Sequence, residues 1–310
     1  MTSDALNRPD LVIRPATPED AEAIVAIKRA EVAHFTNSVA HHLQEVRSTP
    51  ERSLPQRLVV TVGDEIAGFG GCALNTFTDE AGAAGAGMRI AKRFRGLGLG
   101  SALFAEIEAH LLEIGAKRVQ TWTTDEPADM AWAAARGYEK SRDVTYSSVD
   151  LANLPPMPEI PAGVTLVPVA EAGPEVVYEV DCVAFLDEPG DMASIAIPYD
   201  EWVAKFWDNP DNRGDLGYVA YVGGAPAALT IVEGDPAGDR IWASGTAVMP
   251  DYRGRGLAKL MKSASLRAAR DAGITAAFTA NDAANAPMLA VNTWLGYRAT
   301  HAHWSFLRTY

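Results

Sequence analysis

Apolar positions along this chain follow two rhythms, and the same succession of rhythms occurs twice. Leu99 to Ile114 and Leu257 to Ala272 space their apolar residues as an amphipathic helix does. Each run stops at a glycine, Gly115 or Gly273, the usual C-terminal signal of a helix. Shorter apolar runs bounded by turn residues read as strands. Leu58 to Val62, the turn Gly63-Asp64 and Ile66 to Leu74 form one hairpin; Gly217 to Val222, the turn Gly223-Gly224 and Ala227 to Val232 form another. Strand-like Leu11 to Arg14 opens the first half and Val164 to Val169 the second. Thr17-Pro18-Glu19-Asp20 has the form of a helix start: Thr at the N-cap, Pro at the first helical position, acids in the first turn. After each long helix come a central strand (Arg118 to Thr123; Thr275 to Ala280), a short helix and a terminal strand that completes the copy. Hairpins combined with one strand–helix–strand crossover predict an α/β chain of the α+β kind, with a mixed sheet flanked by helices.

The repetition is sharpest around one loop. Arg95-Gly96-Leu97-Gly98-Leu99-Gly100 matches Arg253-Gly254-Arg255-Gly256-Leu257-Ala258, with Arg95 and Arg253 separated by 158 positions. Further on, Gly137-Tyr138 matches Gly296-Tyr297 at a separation of 159. A near-constant offset over this distance means a duplicated domain rather than a short-period solenoid. The boundary is visible as Leu154-Pro155-Pro156-Met157-Pro158-Glu159-Ile160-Pro161, whose prolines favour extended chain. We expect domains at 1–153 and 164–310 joined by a linker at 154–163.

Each loop lies between a strand and a helix. Small residues there let the backbone approach a ligand, and the first N–H groups of the helix lack internal partners, a combination that suits a diphosphate. A Rossmann loop needs Gly-x-Gly-x-x-Gly, and the spacing here is wrong. A P-loop needs Gly-Lys-Ser/Thr, which is absent. A tight turn with no ligand remains the bland alternative, weakened by two occurrences in the same context.

Composition narrows the function. The 310 residues are 48% hydrophobic and 22% charged, a globular balance. A net charge of −13 argues against nucleic acid, which needs a positive face, and permits cationic acceptors. No run approaches the ~20 apolar residues of a membrane span. Met1-Thr2-Ser3-Asp4 does not resemble a signal peptide, so cytoplasm is the expected compartment. Cys72 and Cys182 lie in different halves and suggest no disulfide. His41-His42 and the pair His301, His303 lack a third metal ligand at suitable spacing, so no metal is expected.

At these residues the sequence resembles the GNAT superfamily of N-acetyltransferases, whose hallmark is an Arg/Gln-x-x-Gly-x-Gly/Ala loop opening a long helix. Val248 to Ala258 carries that pattern, and Asn285 to Tyr297 resembles the family's last helix and strand. The two-domain GNAT proteins of actinobacteria, including mycothiol synthase and antibiotic-modifying enzymes, are similar in size and order. The resemblance implies two tandem acyl-CoA N-acyltransferase domains. Each would have a V-shaped opening between its fourth and fifth strands for acetyl-CoA, the cosubstrate. In the second copy Thr246, Ala247 and Val248 would pair with the pantetheine amides. Arg253, Gly254, Arg255, Gly256, Leu257, Ala258 and Lys259 would cradle the diphosphate. In the first copy Ile90, Arg95, Gly96, Gly98 and Gly100 would do the same.

The copies differ where chemistry belongs. The second has Asn281, Asn285 and Asn292; the first has Trp122, Glu126 and Ala133 opposite them. Asn285 and Asn281 suit either ligand contact or helix capping. Asn292 stands where many family members carry a tyrosine that protonates the leaving thiolate, and an amide cannot act as an acid. Glu233 is the candidate base, or else an exposed acid at a strand end. Asp187, Glu188 and Asp191 lie in a loop that could attract an ammonium group, or be merely solvated. The reading is therefore a monomeric or homodimeric N-acetyltransferase. It acts in its second copy on a primary amine of a small molecule, by direct attack. A peptide acceptor or a non-catalytic CoA sensor are the alternatives. The first copy is structural or a second CoA site.

Overall fold

The computed structural model describes residues 11–184, 186 and 189–310. The first repeat runs β1 (Leu11–Pro15), α1 (Ala21–Glu31), α2 (Val39–Arg47), β2 (Gln56–Val62), β3 (Glu65–Leu74), β4 (Ala83–Ile90), α3 (Leu99–Glu113), β5 (Arg118–Thr124), α4 (Pro127–Ala134) and β6 (Glu139–Asp150). The second runs β7 (Val164–Pro168), α5 (Val169–Ala172), α6 (Pro174–Ala184), α7 (Tyr199–Trp202), β8 (Tyr218–Val222), β9 (Ala225–Glu233), β10 (Arg240–Val248), α8 (Leu257–Asp271), β11 (Ala276–Asp282), α9 (Ala286–Leu295) and β12 (Arg298–Thr309). The long helices and hairpins lie where the apolar rhythm predicts them. Thr17 caps a short 3-10 turn over Pro18–Asp20, as the motif implies, and Asp20 leads that turn into α1. Its carboxylate accepts from the Thr17 N–H at 2.8 Å and from the Arg14 guanidinium at 2.7 Å, which holds its pKa down at about 2.

Among the described residues, twelve strands join one sheet, in the order β1-β2-β3-β4-β5-β12-β6-β11-β10-β9-β8-β7. Neighbours are antiparallel except β4–β5 and β10–β11. This corrects the expectation that each copy closes with its own terminal strand. The terminal strands are exchanged. β12 lies beside β5 of the first repeat, from His303↔Thr124 to Thr309↔Arg118. β6 lies beside β11 of the second, from Ala276↔Asp150 to Asp282↔Val144. β6 and β12 also pair with each other, at the centre of the sheet. An unpaired edge at β5 or β11 would leave a row of orphaned backbone groups, and the exchange covers both.

The parallel pairs are short, and this creates the clefts. β4 and β5 pair only over Ala83↔Arg118 to Gly85↔Gln120, and β10 and β11 only over Arg240↔Ala276 to Trp242↔Phe278. Beyond those points the strands part toward the glycine loops. Helices α3 and α8 cover the sheet behind each cleft. On α3, Leu99, Leu103, Ile107 and Leu111 recur at helical spacing and are at most 1% exposed. Each such side chain contributes about 1.5–3 kcal/mol by leaving water.

Polar contacts also weld the repeats together. Ser38, the N-cap of α2, donates from N–H and Oγ to the fully buried Asp211 carboxylate at 2.7 and 2.6 Å. The Asp235 N–H reaches Thr36 O at 2.8 Å, and the Ile195 N–H reaches Phe77 O at 2.9 Å. His34, His301, His303 and Tyr146 cluster between the repeats, with His301 stacked on His34 and Tyr146 and His34 Nδ1 2.9 Å from His301 Nε2. Burial drives the pKa of His34 down to about 3 and of His303 to about 4, so these rings are neutral spacers near pH 7. Cys72 and Cys182 are both free thiols.

Candidate functional site

The second glycine loop keeps its shape through a few backbone positions. Gly254 and Gly256 sit at φ +76° and +78°, and a Cβ on either would meet nothing within 4 Å. Only glycine holds that conformation without strain, and the space beyond it is open. Gly256 caps α8, so the first N–H groups of the helix face the opening. The Arg253 Nε donates to Val248 O at 3.0 Å and braces the loop against the strand. Arg95 Nε makes the same bond to Ile90 O at 3.0 Å in the first repeat. Arg255 turns back to Asp251 O at 2.9 Å and does not line the cleft. Lys259 does line it, with its Nζ 4.2 Å from the centre of the Trp294 ring.

Around this loop lies a cleft of about 760 Å³, walled by Thr246, Ala247 and Val248 of β10 and by Thr279, Ala280 and Asn281 of β11. Asn285 is at its rim and fills both roles that the sequence left open: its Oδ1 accepts from Met288 N–H at 3.3 Å, capping α9, while the residue faces the cleft. Asn292 is placed differently from the expectation. It is 3% exposed and stands behind the wall, donating from Nδ2 to Asn281 Oδ1 at 2.6 Å. It therefore orients a cleft residue and does not face the cleft itself. Tyr297 belongs to the apolar core, 6% exposed.

A second cavity, of about 240 Å³, opens on the other side of β10. Trp202, Phe206, Trp207, Val177, Ile197 and Ile231 give it an apolar lining, and Phe77 of the first repeat closes one side. Glu233 lines this cavity rather than standing exposed at the end of its strand. Burial pushes its carboxyl above the usual range; the Asp211 carboxylate adds to this and His41 opposes it. The side chain of Asn209 holds Glu233, and Asn209 Oδ1 in turn accepts from Asp211 N–H at 3.0 Å and sits 2.8 Å from His41 Nδ1. Asp181 also lines the cavity and accepts from Trp202 Nε1 at 2.7 Å.

The two spaces meet at Ser244 and Gly245, which line both. There the β9–β10 ladder slips: Trp242 pairs with Glu233, but the next partners are Gly245 and Ile231. Such a bulge turns backbone groups out of the ladder, and bulges of this kind recur beside active sites. The matching β3–β4 ladder runs without a slip from Gly68↔Ile90 to Leu74↔Ala84.

The first repeat has its own cleft of about 540 Å³, lined by Ile90, Arg95, Gly96, Gly98 and Gly100 and by His303 of the exchanged strand. The 158-residue offset puts Asn75 opposite Glu233, and Asn75 is occupied with Phe77 N–H at 2.9 Å and Met192 Sδ at 3.6 Å. Arg95 pairs with Glu31 at 2.7 Å. Asp187 and Glu188 lie outside the described residues. Asp191 is not free to attract a substrate: it is held by Ser141 at 2.6 Å, Gln120 at 2.6 Å and Arg142 at 3.3 Å. Sequence reading missed the aromatic cavity, the bulge, Asn209 and Lys262, a buried lysine of the cleft beside the second glycine loop. Only Lys262 left a signal, as a charge on the apolar face of a helix. Among the described residues there is no group of ligands suited to a metal ion, and no helix long and apolar enough to cross a membrane.

Known proteins agree with this architecture. The profile of the Acetyltransferase (GNAT) family matches residues 25–138 and again 184–297. A mycothiol acetyltransferase from Nocardioides sp. is 28% identical over 67% of this chain and 74% of its own length. A second, from Catenulispora acidiphila, is 26% identical over 64% of each, so the match spans less than two thirds of that relative. Among solved structures, a tandem GNAT protein from the clavulanic acid biosynthesis pathway aligns over 97% of this chain and 98% of its own, with a TM-score of 0.74 at 21% identity. A GCN5-related N-acetyltransferase from Sphaerobacter thermophilus aligns over 97% and 96%, with a TM-score of 0.71 at 19% identity. With both loops matched and the fold shared along its length, the chain belongs to the GNAT family of acetyltransferases, as a tandem repeat of its domain.

Proposed function

We propose that the second repeat transfers an acetyl group from acetyl-CoA to the primary amine of a small molecule. The observation that carries this reading is the meeting of two spaces at the β10 bulge: a cleft with a diphosphate cradle at its mouth, and an aromatic cavity that the Glu233 carboxyl lines. The residues fit the donor. Gly254 and Gly256 leave open space beside unpaired helix N–H groups, and Lys259 adds positive charge. Glu233 takes the proton that an ammonium must lose before its nitrogen attacks. Its raised pKa suits a base working near neutral pH. A backbone N–H freed at the bulge stabilises the oxyanion formed at the thioester carbonyl. The apolar lining favours an amine with an aromatic or branched aliphatic body. The first repeat, without a bulge or an acid in this place, serves as scaffold or as a second CoA site.

The direct experiment is release of free thiol from acetyl-CoA with a panel of amines. It should include arylalkylamines, a cysteinyl glycoside in view of the mycothiol acetyltransferase relatives, and a peptide. Turnover is expected with a compact apolar amine. Tight CoA binding with no turnover on any amine would favour a sensor instead.

A further inference from the structure

Lys262 lies on α8, one turn beyond Ala258 of the diphosphate loop, and is only 3% exposed. Among the described residues it makes no ion pair and no hydrogen bond, and the Tyr297 ring is centred 5.3 Å from Nζ. A buried ammonium without a counter-charge is among the costliest arrangements in a folded chain. The same corner holds two more polar atoms without partners, Asn292 Oδ1 and Tyr297 Oη, on residues joined by the bond from Tyr297 N–H to Asn292 O at 3.0 Å. These groups surround no empty core, because Lys262 faces the donor cleft.

Its place in that cleft is specific. Lys262 lines the same cleft as Ala243 and Thr279, which lie just past Trp242↔Phe278, where β10 and β11 part. From Val248 at the mouth to Ala243 the strand extends about 16 Å. A linear thioester held by its diphosphate at Gly254 and Gly256, and running inward along β10, brings its sulfur end toward Lys262. The family's tyrosine position holds Asn292, which cannot give a proton.

We propose that the Lys262 ammonium receives the thiolate that departs during acyl transfer and gives its proton to the sulfur. The inference rests on reading the second repeat as the acetyl-donor site. As the amine nitrogen bonds to the carbonyl carbon, the carbon–sulfur bond breaks and sulfur keeps the electron pair. Sulfur then takes a proton from Lys262 Nζ, which leaves a free thiol and a neutral lysine. The attacking nitrogen gives its second proton to Glu233, which has by then passed to solvent the first one, taken from the ammonium before attack. Exchange with solvent restores both groups. Burial alone lowers the lysine pKa to about 8, close to the ordinary thiol value of about 8.5, so transfer between them is nearly balanced.

The test needs no acceptor. Binding of CoA and of desulfo-CoA is compared by calorimetry in the full chain carrying Ser101→Glu, which sets a negative charge in the first turn of α3 to close the first cleft. CoA is expected to bind at least about tenfold more tightly than desulfo-CoA, because a thiolate–ammonium contact is lost without the sulfur. CoA binding near neutral pH should also release a proton, seen as a dependence of the heat on the buffer. Lys262→Met should abolish the preference and keep the affinity for desulfo-CoA; Lys262→Arg should keep the preference. Equal affinities in the parent chain, or a preference that survives Lys262→Met, overturn the inference. So does equal weakening of both ligands by both variants, which marks a structural lysine. If Lys262→Met does not fold, proton release in the parent decides, and its absence overturns the inference. Failure of the parent to bind either ligand overturns the donor-site reading itself.

Discussion

At Glu233, burial and the neighbouring Asp211 carboxylate both favour the protonated acid. The folded carboxyl keeps its proton to higher pH than the unfolded one, so stability is lost as pH rises through that interval. Glu233→Gln removes this penalty and also removes the proposed base. Its Tm is therefore expected to exceed the parent's by more at about pH 8 than at about pH 5, while kcat falls about 10²–10⁴-fold. Thermal melts at the two pH values, with thiol release as the assay, check both halves. A parent-like kcat would remove Glu233 from the chemistry. The carboxyl was visible in the chain as a strand-end acid, but its burial was not. That burial comes from the loop carrying Asn209 and Asp211, which α2 of the first repeat pins through Ser38 and His41.

Elements show how two copies of one loop tolerate different residues. Gly98 of the first loop has φ +82°, whereas Gly100 is an ordinary helical position whose Cβ would meet Ile90 Cγ1 at 3.6 Å, a normal contact. The second repeat carries Ala258 at the position of Gly100 and keeps Gly256 at that of Gly98. Gly98→Ala is expected to cost about 1–2 kcal/mol, the strain of a left-handed non-glycine residue. Gly100→Ala is expected to be neutral or to stabilise by about 0.5–1 kcal/mol. Urea denaturation midpoints compare them, and equal midpoints would contradict the assigned backbone. Helix spacing was legible because it is local. Hairpins were legible because their glycine turns are local too. The β10 bulge was not, since it is a mismatch between two strands and has no residue pattern of its own.

For the whole molecule, the exchange of β6 and β12 makes the repeats inseparable. Without β12, the first repeat leaves β5 and β6 with nothing between them. Residues 1–161 and 162–310 expressed alone are expected to be insoluble or unfolded, and to assemble into one folded complex when co-expressed. The intact chain should unfold in a single calorimetric transition. Two independent transitions, or a soluble folded half, would show that the exchange is dispensable.

The chain by itself determined the duplication, the strand and helix order, the glycine-rich loops and the family, because each is written in local spacing or in residues close together. It also placed Asn285 and Glu233 among the candidates. Only the tertiary structure decided which strand closes which repeat. The same was true of where the aromatic cavity lies, and of what Asn292 and Lys262 face. Those features come from contacts between segments far apart in sequence: Phe77 with Trp202 and Phe206, His41 with Asn209, β12 with β5. A residue's type shows what it can donate or accept. Which neighbour receives it, and whether water can reach it, is settled by packing across the two repeats.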